Sequence, residues 1–143
     1  DWKLHIVGDG NLKETYIKKI KDLNLESYIK ILPPKKEVED YYKEASLFLL
    51  ILQSEGFGMV ILEAMSFGLP CVSYDCPSGP RDMVENSKTG YLVPFDHFEE
   101  LEKSTLELLQ NPQKIKEFGE NAFEASNNWN DEFILEKWKE ILI

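Results

Sequence analysis

The sequence predicts an α/β fold: a doubly wound parallel sheet with helices on both faces and a helical carboxyl-terminal tail. Three observations predict it. Short β-rich runs alternate with amphipathic helical patterns from the first residues onward. The run Leu47-Phe48-Leu49-Leu50-Ile51-Leu52 is apolar on both faces, as expected of a central parallel strand covered by helices on each side. Glycine-bearing turns, Gly8-Asp9-Gly10 and Gly56-Phe57-Gly58, follow strand-like runs, and in open α/β sheets ligands bind outside the carboxyl ends of the strands.

Taken in order, Lys3 to Val7 reads as a strand and is followed at once by the first glycine turn. A helix from about Asn11 to Leu23 places Leu12, Tyr16, Ile20 and Leu23 on one stripe, which is expected to pack on the sheet. Tyr28 to Leu32 is a short strand stopped by Pro33-Pro34, and a helix from about Lys36 to Glu44 turns Val38, Tyr41 and Tyr42 inward. After the apolar run, a helix from Met59 to Phe67 ends at Gly68, and Leu69 to Tyr74 is the next buried strand. Gly79-Pro80 opens a short helix reaching about Asn86, and Thr89 to Val93 makes the last strand. The remainder is helical from about Phe98, divided into three helices by Asn111-Pro112 and by Asn127 to Asn130.

A chain of 143 residues with 43% hydrophobic and 12% aromatic content can fill one core and is expected to form one globular unit. The net charge of −10 opposes contact with nucleic-acid phosphates, so no nucleic-acid partner is expected. The lysines at 13, 18, 19, 21, 35 and 36 read as solvated faces. Cys71 and Cys76 match neither zinc-ligand nor redox spacing and read as free thiols, and no metal site is expected. No apolar run is long enough to span a membrane, and the first residues carry no secretory pattern, so a cytoplasmic setting is expected. The chain begins within a residue or two of a strand and reads as trimmed. His5, in a strand, and His97, in a surface turn, are read as structural.

The segment Ser54-Glu55-Gly56-Phe57-Gly58-Met59-Val60-Ile61-Leu62-Glu63-Ala64-Met65 carries the chemistry. Glycines at 56 and 58 let backbone approach a ligand, and the first free amides of the following helix favour a phosphate or electron-rich sugar oxygens. Glu55 in the turn and Glu63 about two helical turns along are acceptors for hydroxyl hydrogens and suit a polyol placed between them. Glu55 is alternatively a helix-start residue favoured by the dipole. Glu63 could be a solvated position, but Val60, Ile61, Leu62, Ala64 and Met65 around it are apolar, so its charge is expected to be buried and to need a partner.

Glu55-Gly56-Phe57-Gly58, Glu63-Ala64-Met65 and Gly68-Leu69-Pro70-Cys71-Val72 together resemble the signature of the family-four glycosyltransferases of GT-B fold, the glycosyl transferases group 1, with seven residues between the two glutamates. The likeness extends through Ile6-Val7-Gly8-Asp9-Gly10, Ile29 to Leu32, Tyr42 and Ala45, Asp75 through Arg81, and Gly90-Tyr91-Leu92-Val93-Pro94. It implies that residues 1–143 are the Rossmann-like, nucleotide-sugar-binding carboxyl-terminal domain of a retaining hexosyltransferase. Glu63 would then bond the ribose hydroxyls of the donor, and Glu55 would stand near the reacting sugar as nucleophile or stabiliser. Phe57, Gly58 and Met59, beside Gly56, would offer amides to sugar and diphosphate. Gly8 and Gly10 would line the nucleotide cleft, and backbone at Ile31 and Leu32 would read the base.

Tyr74 to Asp82 is similar to the sub-group that builds lipopolysaccharide, capsule and other surface glycans, which implies a UDP-sugar donor, a glycan or lipid-linked acceptor, no cofactor and no metal. It also implies an enzyme in the cytoplasm, extending to peripheral association with the inner face of the membrane. The departures are absences. The first strand with its Arg- and Lys-bearing loop, and the amino-terminal acceptor domain, are expected to lie outside this chain, leaving the fragment inactive alone. In such enzymes the last helix crosses to the amino-terminal domain, so Trp138 and Ile141 would be exposed here. The competing reading is a nucleotide-binding module without chemistry. A Rossmann oxidoreductase fits poorly, because Gly8-Asp9-Gly10 lacks the third glycine and no acidic residue ends a strand about twenty residues later.

Overall fold

Strand and helix alternate along the chain as expected. The computed structural model describes residues 2–142. The elements are β1 (Leu4–Val7), α1 (Lys13–Asp22), β2 (Ile29–Leu32), α2 (Glu39–Glu44), β3 (Phe48–Leu50), α3 (Met59–Ser66), β4 (Cys71–Asp75), α4 (Pro80–Met83), β5 (Gly90–Pro94), α5 (Phe98–Leu109), α6 (Pro112–Ser126), a 3₁₀ turn (Asn127–Trp129) and α7 (Asp131–Leu142). No described helix is long and apolar enough to cross a membrane.

Every described strand pair is parallel, but the ladders divide into two sheets and the chain into two compact units, Asp1–Asp40 and Tyr41–Ile143. The single sheet and single globular unit expected from sequence are corrected on this point. The first unit holds β1 and β2, in register from Leu4 opposite Ile29 to Val7 opposite Leu32. All four β1 residues are exposed, and so are Leu12, Tyr16 and Leu23 on the α1 stripe, leaving only Ile20 half-buried. The stripe therefore does not pack as predicted: two short strands offer too little surface to cover a whole helix face.

The second unit is built on the order β3-β4-β5. β3 is an edge strand three residues long, not the middle of the sheet, and β4 is the central one. Ile51 and Leu52, predicted to continue β3 as a buried strand, are exposed at 62% and 42% because the chain has already left the ladder. Successive β4 residues point to opposite faces. Cys71 joins Leu50, Ile61, Met65, Met83 and Ala122 in one core cluster, while Val72 and Tyr74 join Val93, Leu101, Leu108 and Phe118 in another. Helices α3 and α4 thus cover one face and α5 the other, with α6 contributing to both. Fully buried Ile61 and Met65 each bring about 1.5–3 kcal/mol of apolar burial.

Backbones close in on one another where side chains vanish. A Cβ at Gly90 would stand 1.9 Å from the Cys71 carbonyl oxygen across the β4–β5 ladder, and one at Gly119 would stand 2.3 Å from the Gly68 carbonyl oxygen where α6 passes the end of α3. On the solvent side, Tyr91 donates to Glu107 at 2.8 Å, and Lys114 pairs with the same carboxylate, tying β5, α5 and α6 together.

Both cysteines are free and buried, and burial pushes the Cys71 thiol up from its ordinary value near 9 to about 12. Because the folded state holds this proton more tightly than the unfolded chain does, the associated stability is complete below the unfolded value and is lost as pH rises towards the folded one. Urea unfolding should therefore show a midpoint that falls between about pH 9 and 12, with a shallower fall in Cys71→Ala. An equal slope in the variant would remove Cys71 from that dependence.

Candidate functional site

The segment from Ile51 to Gly58 carries the chain out of β3 and into α3. Gly58 is the residue before the first helical turn, with φ at +90° and no side chain capping the helix start. An L side chain in that conformation costs about 1–2 kcal/mol, so glycine here is required by the turn itself. At Gly56 the reason differs: a Cβ would meet nothing within 4 Å. That backbone is open to an approaching group. Phe57 and Met59 on either side of the helix start are exposed at 48% and 57%.

The turn is held by the loop that leaves β4. Ser78 donates its hydroxyl to the Glu55 carbonyl oxygen at 2.7 Å. Gly79, with φ at +84°, lies so close beneath Phe57 that a Cβ on it would stand 2.4 Å from the Phe57 carbonyl oxygen. Asp82 fixes Gly79 in turn, accepting from its amide at 3.2 Å. From a third side the Trp129 ring meets Phe57 edge to face, 5.7 Å between centroids. The Glu55 carboxylate is half-buried and folded back, accepting from the Gly56 amide at 2.9 Å. Burial first, then the negative charges of Asp75 and Glu55, pushes the nearby Cys76 thiol up. Arg81, the only arginine in the sequence, pairs with Asp75 at 3.0 Å.

Glu63 stands on α3 between buried Ile61 and buried Ala64 and Met65. It is half-buried, and its partner is Tyr42, whose hydroxyl donates to Oε2 at 2.9 Å. The Tyr42 ring is stacked on Phe67 at 5.5 Å and edge-on to Phe48 at 6.1 Å. Burial first, then the Glu63 carboxylate, raises the Tyr42 hydroxyl well above the usual phenol range, so it remains a donor at all ordinary pH.

In the first unit, Gly8, Ile31 and Leu32 meet at the carboxyl end of the two-stranded ladder. The Gly8 amide donates to the Leu32 carbonyl at 3.0 Å, and Gly10 follows, its amide bonded to the Asp9 side chain at 2.9 Å. The structure thus gathers Glu55, Gly56, Phe57, Gly58, Met59 and Glu63 on one turn and its helix, and the other four at one strand end. Sequence reasoning foresaw that Glu63 needs a partner but named none, and it missed Ser78, Gly79 and Trp129. Tyr42 and the Ser78-Gly79 pair lie inside the motifs already singled out, which was the available signal. His5 is exposed on β1, and His97 at the start of α5 faces Glu100 at 3.7 Å; neither joins the turn.

A family model described as "Glycosyl transferases group 1" matches residues 1–125. Over 141 residues the chain is 34% identical to the amylovoran biosynthesis glycosyltransferase AmsD of Erwinia amylovora, covering 99% of this chain and 40% of AmsD. The chain therefore spans about two fifths of that relative's length. Among solved structures, a TarM variant of Staphylococcus aureus crystallised with UDP superposes with a TM-score of 0.88 at 32% identity, over 96% of this chain and 28% of TarM. HepE of Anabaena in complex with UDP gives 0.83 at 26% identity, over 99% of this chain and 40% of HepE.

The Ser78-Gly79 contact makes a checkable claim about the turn. Gly79→Ala should accelerate amide exchange across residues 55–59 by about tenfold or more while leaving β4 amides protected. Unchanged exchange in that segment would mean that Gly79 does not hold it.

Proposed function

This chain belongs to the group 1 glycosyl transferases, and on that footing we propose that it binds a nucleoside-diphosphate sugar, specifically a UDP-sugar, as the donor half of a retaining enzyme of GT-B fold that builds surface polysaccharide. The observation that carries the reading is the pairing on one element of an uncapped helix start, reached through an open glycine turn, with a carboxylate fixed on the same helix. Amides suit an anion and carboxylates suit hydroxyls, and a nucleotide sugar presents both. That TarM and HepE were crystallised with UDP supports uridine over guanosine.

In this reading Glu63 accepts from the ribose hydroxyls, and the amides of Phe57, Gly58 and Met59, with the open backbone at Gly56, receive the sugar and diphosphate. Gly8, Gly10 and the backbone of Ile31 and Leu32 serve the nucleotide. As the bond from the anomeric carbon to the diphosphate breaks, its electron pair leaving with the diphosphate oxygen, the acceptor oxygen bonds that carbon and passes its proton to the departing oxygen, and Glu55 stands beside the developing positive charge. For Glu55 to do so its carboxylate must leave the Gly56 amide, which frees that donor for the ligand. The reaction as proposed draws on no resident metal, because amides and basic side chains offset the departing charge.

We place those basic side chains, a preceding strand and the acceptor-binding domain outside these 143 residues. The enzyme's setting in this reading is the cytoplasm, at or near the inner face of the membrane, where a lipid-linked acceptor is within reach.

Calorimetric titration of the full-length protein tests the donor site. UDP should bind more tightly than GDP, and Glu63→Ala should weaken UDP by about tenfold or more, the worth of hydrogen bonds to a charged group. Equal affinity for both nucleotides would overturn the uridine assignment. Unaltered UDP binding in the variant would overturn the role of Glu63.

A further inference from the structure

The carboxylate assigned to the ribose is not free to turn. Tyr42 reaches it from α2, twenty-one residues earlier in sequence, with its hydroxyl 2.9 Å from Oε2. The ring that carries this hydroxyl is itself held on two sides, stacked on Phe67 just past the end of α3 and edge-on to Phe48 of β3. Tyrosine has only two side-chain torsions, and both are fixed by these contacts. A carboxylate without such a neighbour would rotate about its last torsion, which is broad and roughly two-fold. A hydroxyl donor also occupies only one of about four lone-pair positions on the carboxylate, leaving acceptors for two further hydroxyls.

We propose that Tyr42 is a positioning residue for donor recognition: by holding Glu63 Oε2 it sets the carboxylate plane so that Glu63 can accept from both hydroxyls of a ribose. This rests on the assignment of Glu63 to the ribose. It deepens that assignment by naming what turns a carboxylate into a reader of the adjacent hydroxyl pair. A structural contact that only fastened α2 to α3 would strengthen or weaken every ligand alike. Orientation of an acceptor acts only on ligands that present the hydroxyls.

The test uses the full-length protein and two probes, UDP and 2′-deoxy-UDP, titrated against wild type, Tyr42→Phe, Glu63→Gln and the double variant. Tyr42→Phe keeps the ring and its stacking on Phe67, and unfolding midpoints of all four proteins check that the fold is intact. Wild type should prefer UDP over the deoxy probe by about tenfold, the effect of one hydrogen bond to a charged group. Tyr42→Phe should reduce that preference to about threefold or less, with little change for the deoxy probe. Tyr42→Phe should add nothing once Glu63→Gln is present, because contacting residues in one network are non-additive.

If Tyr42→Phe weakens both probes equally, or changes neither, the positioning role is overturned while the ribose assignment stands, provided Glu63→Gln still lowers the preference. If Glu63→Gln leaves the preference unchanged, the ribose assignment itself has failed and this inference falls with it. Should Tyr42→Phe unfold, Phe67→Leu, which removes the stacking partner but retains the hydroxyl, gives the second measurement. It should lower the same preference in part, and an undiminished preference there would overturn the proposal.

Discussion

The packing of one backbone directly on another, Gly79 beneath the Phe57 carbonyl, is the constraint on which the arrangement of the second unit rests. No side chain fits in that space, since a Cβ would stand 2.4 Å from the carbonyl oxygen. The loop leaving β4 and the loop leaving β3 are therefore fixed to each other at the ends of adjacent parallel strands. Ser78 adds the hydrogen bond to Glu55, and Trp129 closes on the Phe57 ring. An irregular turn with no strand partner and an exposed glycine would otherwise sample many conformations, each residue of freedom worth about 1–2 kcal/mol of entropy. Three contacts from two elements, the loop leaving β4 and the 3₁₀ turn, hold it, which is how a loop can serve as a preorganised site.

The core serves the same end. β4 distributes its side chains to both faces, so α3 on one side and α5 on the other are oriented by a single strand. Gly90 lets β5 run against Cys71, and Gly119 lets α6 close on the end of α3. With its last turn braced by α6 and its first turn fixed through Gly58, α3 can carry Glu63 at a defined depth. A charge half-sunk among Ile61, Ala64 and Met65 is costly without a hydrogen bond, and Tyr42 supplies one.

Much of this was legible in the sequence because it rests on periodicity and punctuation. Parallel strands, the helix boundaries at Gly68 and Pro112, and the glycine turn at Gly56 to Gly58 all announce themselves locally. What was not legible depends on contacts distant in sequence. Nothing in Leu47 to Leu52 tells whether strands flank it on one side or two, so a six-residue apolar run has the pattern of a central strand although only Phe48–Leu50 pair, and along one edge. The stripe on α1 is amphipathic by pattern, but a pattern cannot say whether a surface exists for it to cover. The apolar neighbours of Glu63 say that it needs a partner, yet Tyr42 meets it only through a contact across twenty-one residues of sequence. Gly79-Pro80 reads in sequence only as the opening of a short helix, and the closeness of Gly79 to Phe57 lies wholly in tertiary structure.

Charge divides the labour of the proposed reaction. The chain carries a net charge of −10, its one arginine is paired with Asp75, and no lysine falls between Lys43 and Lys88, the span that holds the whole turn. An uncapped helix start favours an anion by only about 0.3–1 kcal/mol when exposed. That is far too little to hold or to stabilise the departure of a diphosphate in an acidic protein. Neutral hydroxyls, by contrast, are well served by carboxylates, and ribose and sugar hydroxyls are what Glu63 and Glu55 are suited to meet. In the proposed reading Glu63 and Glu55 meet the hydroxyls of the donor's two sugars, and neutralising a departing diphosphate calls for more positive charge than the turn and its helix start offer. On the proposed function, hydroxyl recognition and phosphate neutralisation are separate tasks, and the reacting bond is activated only where the groups that perform both meet the same donor.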